Sequence, residues 1–154
     1  MIKLLKIAAS VILCALLMSN SFYVAHPVVL YPARAGQAVL YQKCEKIYAQ
    51  SPEVLCRTVL DRLFELQNRG APYLPDNMSV SVKGTCATVN LVRSSYTKIS
   101  ERDELMLVYS IVNSLTSDGS IITVEFTVNG KKQKNFAGFL DMRETFIPDY
   151  DICS

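Results

Sequence analysis

The acid, base and nucleophile side chains of this sequence do not form a recognisable catalytic pattern. The chain has one histidine, His26, which stands next to Pro27 and is interpreted as part of a flexible chain end. Apart from His26 no histidine is present that could activate a serine or cysteine nucleophile, and a His-rich metal site is excluded. The glycines stand singly at turn positions, so the sequence has no phosphate-binding loop.

Carboxylates are the remaining candidates for acid and base chemistry, and they gather near the C-terminus. The cluster consists of Asp141, Glu144, Asp149 and Asp151. No motif fixes their geometry, and the alternation of oxygen ligands is too sparse for a calcium-binding loop. We therefore interpret them as surface charges, and we predict a protein that is not an enzyme and that holds no metal or cofactor.

A basic and aromatic stretch follows the turn predicted at Asn129-Gly130. Its candidate partner-binding residues are Lys131, Lys132, Lys134, Phe136 and Phe139. The lysines would form a charged rim, and the phenylalanines would be aromatic anchors for a partner. The pattern favours a simpler interpretation, in which the lysines keep sheet edges from pairing and the phenylalanines reach the core.

The first residues have the layout of a secretory signal peptide. Lys3 and Lys6 precede the apolar run "IAASVILCALLM", and small polar residues follow it. A membrane-spanning helix needs about 20 residues, and this run is shorter. We predict a leader over residues 1–25 and one domain over residues 26–154. The domain is then expected in the periplasm or on the outer face of the cytoplasmic membrane.

Processing of this leader has two open points. Cleavage would follow Ser21 or Ala25, and the alternative is an uncleaved anchor over residues 7–25, which would be the protein's contact with the membrane. A lipid attachment at Cys14 is disfavoured, because bulky Leu13 precedes it where that site needs a small residue.

Loss of the leader leaves fourteen basic and fourteen acidic residues. A nucleic-acid-binding domain would be strongly basic, so this near-neutral balance argues against that class. Four cysteines remain, namely Cys44, Cys56, Cys86 and Cys153. In an exported chain they predict one or two disulfides of unknown connectivity, although Cys56 also fits a buried helix position as a small apolar residue.

Two amphipathic helices are predicted with their start signals. Ser51 and Ser100 are suitable N-caps, and Asp103 stands at capping-box spacing from Ser100. Apolar residues then recur at steps of three and four. The first stripe contains Leu55, Val59, Leu63 and Leu66, and the second contains Leu105, Val108, Val112 and Leu115.

Alternating segments predict strands before and between these helices. They are "PVVLYP", "QAVLYQKCEKIYA", a hairpin over "MSVSVKGTCATVNLV" and the strand "ITVEFTV". A C-terminal hairpin or arm would follow. The order predicts an α+β two-layer sandwich, in which two helices pack on one face of a mainly antiparallel sheet around an αββαβ unit.

The second helix and the strand after it resemble the GerMN domain family. In that family a helix ending near "SLT" leads into a strand of the form "V-x-x-V-x-F-x-V-x-G-K", followed by "G-x-x-D" and a late proline. Here these features are Ser114-Leu115-Thr116, residues 121–128, Gly130-Lys131, and Gly138 with Asp141. The opening strand, first helix and connector match more loosely.

The resemblance implies a core similar to the ring-building motif, without known catalytic residues. It implies an exported module that binds other envelope proteins or itself, with a role related to sporulation or germination. The four cysteines are not part of the family pattern, and the lipid anchor of its best-known member is not carried over. The alternative function is binding of a small molecule or cell-wall polymer, which a pocket with converging Tyr and Asp side chains would favour.

Overall fold

The computed structural model describes residues 22–34, 37–67, 74–93 and 99–153. Its elements in chain order are β1 (Val24–Leu30), β2 (Lys43–Ala49), α1 (Pro52–Gln67), β3 (Asn77–Lys83), β4 (Cys86–Val92), α2 (Glu101–Thr116) and β5 (Thr123–Val128). The predicted order of strands and helices is confirmed. Residues 1–21 of the predicted leader, the Asn68 to Gly70 helix end and the polar "SSYTK" stretch lie outside the described residues, whereas residues 22–25 of the predicted leader are described.

The strands form two sheets. β1 and β2 pair antiparallel as a two-stranded sheet, and the second sheet has the order β3-β4-β5. β3 and β4 are the predicted hairpin, whereas β5 lies parallel to β4 because α2 carries the chain across between them. Alternate residues such as Val80, Val89 and Phe126 are buried on one face, against α1 and α2. The α+β sandwich is therefore confirmed.

Both helices begin at their predicted caps. The backbone N–H of Val54 donates to Ser51 Oγ at 3.3 Å, and that of Asp103 donates to Ser100 Oγ at 3.1 Å. Each cap satisfies an N–H that has no partner inside its helix, which contributes about 1 kcal/mol. Among the described residues, no helix is both long and apolar enough to cross a bilayer.

The helix α2 is buried on nearly all sides, unlike the amphipathic surface helix that its stripe predicts. It packs against α1, β1 and β5. Its buried residues include five polar ones, namely Glu104, Ser110, Asn113, Ser114 and Thr116. Buried polar groups are costly unless they are hydrogen-bonded, so each of these side chains needs a partner, either in its own helix, as for Thr116 and the Val112 carbonyl, or in a neighbouring segment.

The outer edge of β1 is closed by two hydroxyl groups at the end of α2. Ser114 Oγ accepts a hydrogen bond from the N–H of Tyr31, and Ser117 Oγ accepts one from the N–H of Val29. Alternate N–H groups of a strand point to the same edge, so the N–H groups of Val29 and Tyr31 both face the end of α2. The family-like "SLT" stretch therefore holds β1 in place.

The N-terminal strand starts earlier than the sequence indicates. β1 begins at Val24, which pairs with Ala49, so cleavage after Ser21 keeps the strand whole and cleavage after Ala25 removes part of it. His26 is not a flexible end. Its Nδ1 lies 3.1 Å from the Asp118 carboxylate, which ties β1 to the turn before β5.

Candidate binding groove on the C-terminal arm

Residues 131–153 form a C-terminal arm that lies across β5 and α2. Asn129 and Gly130 turn the chain with φ values of 50° and 76°, a conformation that glycine and asparagine adopt most readily. The arm then pairs with β5 through Phe146 and Val124, whose backbone groups exchange hydrogen bonds of 2.8 and 2.9 Å. The arm thus covers the edge of β5 at the start of that strand.

The first part of the arm is held by the carboxylate of Glu104, which is fully buried near the start of α2. It accepts hydrogen bonds from the backbone N–H groups of Ala137, Phe139 and Leu140 at 2.7, 2.8 and 3.2 Å. Three N–H groups converging on one carboxylate are charge-assisted bonds, which are stronger than bonds between neutral groups. The carboxylate therefore fixes the loop around Gly138.

The last part of the arm is held by Asn113, which is also fully buried. Its Nδ2 donates to the Asp149 carbonyl oxygen at 2.6 Å, and its Oδ1 accepts from the Asp149 N–H at 3.0 Å. A side-chain amide in this geometry replaces a strand partner. Glu104 and Asn113 lie about 13 Å apart along α2, so one helix positions both ends of the arm.

Between α2 and the last part of the arm runs an open groove of about 500 Å³. Its lining residues are Tyr109, Ile147, Pro148, Asp149, Tyr150 and Asp151. Ile147 and Tyr150 are 64 % and 46 % exposed, although the backbone beside them is fixed by Asn113. The groove thus combines accessible apolar side chains and two carboxylates with a backbone that is hydrogen-bonded to α2.

Aromatic contacts support the groove from below. The Tyr150 ring lies 5.6 Å from that of Tyr31, and the Tyr109 ring meets Phe146 edge-on at 6.2 Å. Burial, and secondly the charge of Asp149, raises the pKa of the Tyr109 hydroxyl. Because Tyr109 keeps its proton, it can both donate and accept hydrogen bonds in the groove.

The candidate partner-binding residues after the turn differ in their exposure. Lys131, Lys132 and Lys134 are exposed, and Lys132 Nζ forms an ion pair with Glu125 at 3.2 Å. Phe136 is only 2 % exposed, and the Arg93 guanidinium lies 4.9 Å above its ring. Phe136 is thus part of the core and is unavailable as a partner anchor. Phe139 is 49 % exposed.

The four cysteines have free thiols in this structure. Cys44 is exposed on β2, and Cys56 is buried on the inner face of α1. Cys86 and Cys153 are partly buried, at the start of β4 and near the end of the arm. Burial raises the pKa of the Cys56 thiol to about 12, so it stays protonated and unreactive at neutral pH. The predicted disulfides are not formed here.

No group of His, Cys, Asp or Glu side chains in the described ranges has the arrangement of a metal site. In the carboxylate cluster, Arg143 donates to Asp141 and lowers its pKa to about 2, so this pair is a surface ion pair. Asp149 and Asp151 belong instead to the groove.

The anchoring residues Glu104 and Asn113 are the ones that sequence reasoning missed. Each stands in a helix beside its apolar stripe, where a polar residue is usually assigned to the solvent face. A signal was present for Asn113, because apolar residues or small hydroxyl residues surround it in "SIVNSLT". Glu104 was hidden among the acidic residues of the first helical turn, which the helix dipole explains without burial.

Comparisons with known proteins support the fold. A structure from Clostridium perfringens described as a candidate lipoprotein is 18% identical, with a TM-score of 0.53 over 83% of this chain and 89% of that one. The tandem GerMN domains of the Bacillus subtilis sporulation protein GerM are also 18% identical, with a TM-score of 0.51 over 81% of this chain and 46% of theirs. Curated protein sequences give no match.

A sequence model of a protein family identifies the family of this chain. The model described as Germane, sporulation and spore germination, matches residues 29–134, which is more than half of the chain. The match runs from β1 through β5 into the start of the arm, and the similar solved structures include GerMN domains. The resemblance seen in the sequence is confirmed: the chain belongs to the Germane family and has a GerMN-like domain.

Proposed function

We propose that this Germane-family chain is a non-enzymatic, exported domain that binds another protein of the bacterial cell envelope through the groove on its C-terminal arm. One observation carries the proposal. Ile147 and Tyr150 are exposed apolar side chains on either side of Asp149, whose backbone N–H and carbonyl are both hydrogen-bonded to the buried Asn113 amide. Rigid, accessible apolar groups are the usual anchors of protein interfaces, because little entropy is lost when they bind.

The groove's charge indicates the chemistry of the partner. Asp149 and Asp151 flank the apolar side chains, and no basic residue lines the groove. A segment with an apolar side chain next to a lysine or arginine would complement this surface. Most of the lining lies beyond residue 134, where the family match ends. The partner is therefore expected to be particular to this chain.

The leader and the relatives support the location. A signal-peptide-like sequence precedes β1. The similar Clostridium perfringens protein is described as a candidate lipoprotein, which agrees with an envelope location. The family description points to sporulation or germination as the process in which the domain takes part.

A capture experiment from envelope extract tests the proposal. The full chain would be compared with the groove variant Ile147→Ser/Tyr150→Ser and with Val54→Ser, which alters an exposed apolar residue on α1. Loss of a hot-spot pair lowers affinity by about tenfold or more, so the groove variant should lose a protein that the Val54→Ser chain retains. Equal recovery by all three chains would overturn the proposal.

The basic surface is tested in the same experiment. The variant Lys131→Glu/Lys132→Glu/Lys134→Glu changes the candidate rim but leaves the groove intact. We expect it to recover the partner as well as the wild type does. Loss of the partner with this variant, and its retention with the groove variant, would move the binding site to the turn after β5.

Binding of a cell-wall polymer is the second candidate function, because the groove brings Tyr109, Tyr150, Asp149 and Asp151 together. Aromatic rings pack on the apolar faces of sugars, and carboxylates accept hydrogen bonds from hydroxyl groups. Sedimentation with purified cell walls separates the two candidates. The polymer function predicts sedimentation of the wild type and its loss in Asp149→Asn/Tyr150→Ala, whereas the protein-binding function predicts no sedimentation of either.

A further inference from the structure

The start of β1 carries a cluster of exposed apolar side chains, which we call the N-terminal patch. It consists of Phe22, Tyr23, Val24 and Tyr48, which are 85 %, 63 %, 56 % and 57 % exposed. Tyr48 lies on β2 opposite Ala25, so the strand pairing brings it beside the first residues of β1. Val24 pairs with the buried Ala49 and so begins the inner face of the strand pair, whereas Tyr48 is on the outer face, and the four side chains lie at the same end of the pair. Single exposed apolar residues are ordinary, but four at one end of a strand pair mark a contact surface.

The composition of the patch suits one kind of surface. Lys46 lies on the same outer face of β2 as Tyr48, and its Nζ lies 6.0 Å from the centre of the Tyr48 ring. Tyrosine rings with a neighbouring lysine are typical of the boundary between lipid headgroups and water, since the rings tolerate both environments and the ammonium group meets phosphate. On the opposite face of the sheet, Val28 and Ile47 belong to the core.

The patch follows the apolar part of the leader closely in the chain. The apolar run over residues 7–18 ends just before Phe22. Fully extended, the link from residue 18 to Phe22 spans at most about 14 Å. The headgroup region is about 5–8 Å thick on each side of a bilayer. A leader held in the membrane therefore keeps the patch within or next to the headgroups.

We propose that in the leader-bearing chain the N-terminal patch lies on the lipid headgroups of the membrane in which the leader is held. This inference rests on the exported location proposed above. It orients the domain with the start of β1 toward the bilayer. The groove residue Tyr150 contacts Tyr31, just past the other end of β1, about 20 Å away along the strand. The groove is then free to receive its partner.

Tryptophan fluorescence tests this arrangement, because the chain contains no tryptophan. The full chain would be reconstituted into phosphatidylethanolamine and phosphatidylglycerol vesicles with Tyr48→Trp as the reporter. The matched control is Phe139→Trp, a half-exposed aromatic position on the arm. Lipids brominated near the headgroup should reduce Tyr48→Trp emission by about twofold and leave Phe139→Trp emission unchanged, since contact quenching needs the ring at the interface.

Two results would overturn the inference. Equal emission of Tyr48→Trp in brominated and unbrominated vesicles would place the patch in water. A blue-shifted but unquenched emission would place it under protein, either the leader or a second copy. Val24→Trp repeats the measurement if Tyr48→Trp does not fold. Neither result would affect partner capture by the groove, so failure of this inference is distinguishable from failure of the proposed function.

Discussion

The buried carboxylate of Glu104 accepts a hydrogen bond of 2.8 Å from the backbone N–H of Phe139, which lies 35 positions later in the chain. Two more N–H groups of the same loop point to this carboxylate. The start of α2 therefore determines the path of the arm as it leaves β5. Asn113 repeats the arrangement toward the end of the helix, so the groove exists because α2 presents two polar side chains to the arm.

Removal of the Glu104 carboxylate should loosen the arm and destabilise the domain. In Glu104→Ala three backbone N–H groups lose their acceptor, and we expect a loss of about 3 kcal/mol in the free energy of unfolding. Glu104→Gln should lose less, because one acceptor oxygen remains. Urea denaturation measures both values.

The matched control is Glu101→Ala in the same helical turn, where the side chain is exposed. It should cost only a few tenths of a kcal/mol through the helix dipole. Equal destabilisation by Glu104→Ala and Glu101→Ala would contradict the anchoring role of Glu104.

The Asn113 amide should be needed for order in the last part of the arm. In Asn113→Ala the N–H of Asp149 loses its acceptor, so its hydrogen exchange should accelerate by about tenfold or more relative to the wild type. Amide exchange measured by NMR reports this residue by residue. The N–H of Phe139 should keep its protection, because Glu104 is unchanged, and unaltered exchange at Asp149 would show that other contacts hold the arm.

The Cys56 thiol should make stability depend on alkaline pH. Burial raises its pKa from 9.0 in the unfolded chain to about 12 in the folded one. The folded state thus keeps a proton that the unfolded chain loses, so this contribution is complete below pH 9 and falls as the pH rises toward about 12. Urea unfolding between these limits should show a steeper loss for the wild type than for Cys56→Ala, whereas parallel pH dependences would contradict the assignment.

Thiol labelling should separate the cysteines by exposure. Without denaturant and under reducing conditions, Cys44 should react with iodoacetamide well before Cys56, because it is exposed and Cys56 is buried. Peptide mass spectrometry identifies the labelled positions. The same measurement on protein isolated without reductant tests the predicted disulfides, since a disulfide would protect two thiols at once.

Local sequence signals predicted the helices and strands but not the long-range hydrogen bonds that hold the arm on α2. Ser51 and Ser100 act on neighbouring N–H groups, so their capping roles follow from a few adjacent letters. Glu104 and Asn113 act on residues more than thirty positions away. Periodicity assigns a residue to a helix face, but it does not say which later segment will cover that face.

The basic stretch after β5 illustrates the same limit. The alternation in "ITVEFTV" predicted β5, and Asn129-Gly130 predicted the turn before this stretch. Phe136 reaches the core, as the simpler interpretation predicted, whereas Phe139 is half exposed. The exposed apolar residues that the structure places in a groove, Ile147 and Tyr150, belong to an irregular segment. Such segments have no periodic pattern, so the groove follows only from the contacts that fold the arm onto α2.

Site-specific photo-crosslinking tests whether the groove itself binds the partner. A benzophenone amino acid would replace Ile147 in the groove and, as a control, Val54 on the exposed face of α1. After irradiation of cells, we expect one envelope protein to be crosslinked at position 147 and not at position 54. A crosslink of equal yield at both positions, or a crosslink at position 54 alone, would contradict the claim that the groove binds the partner.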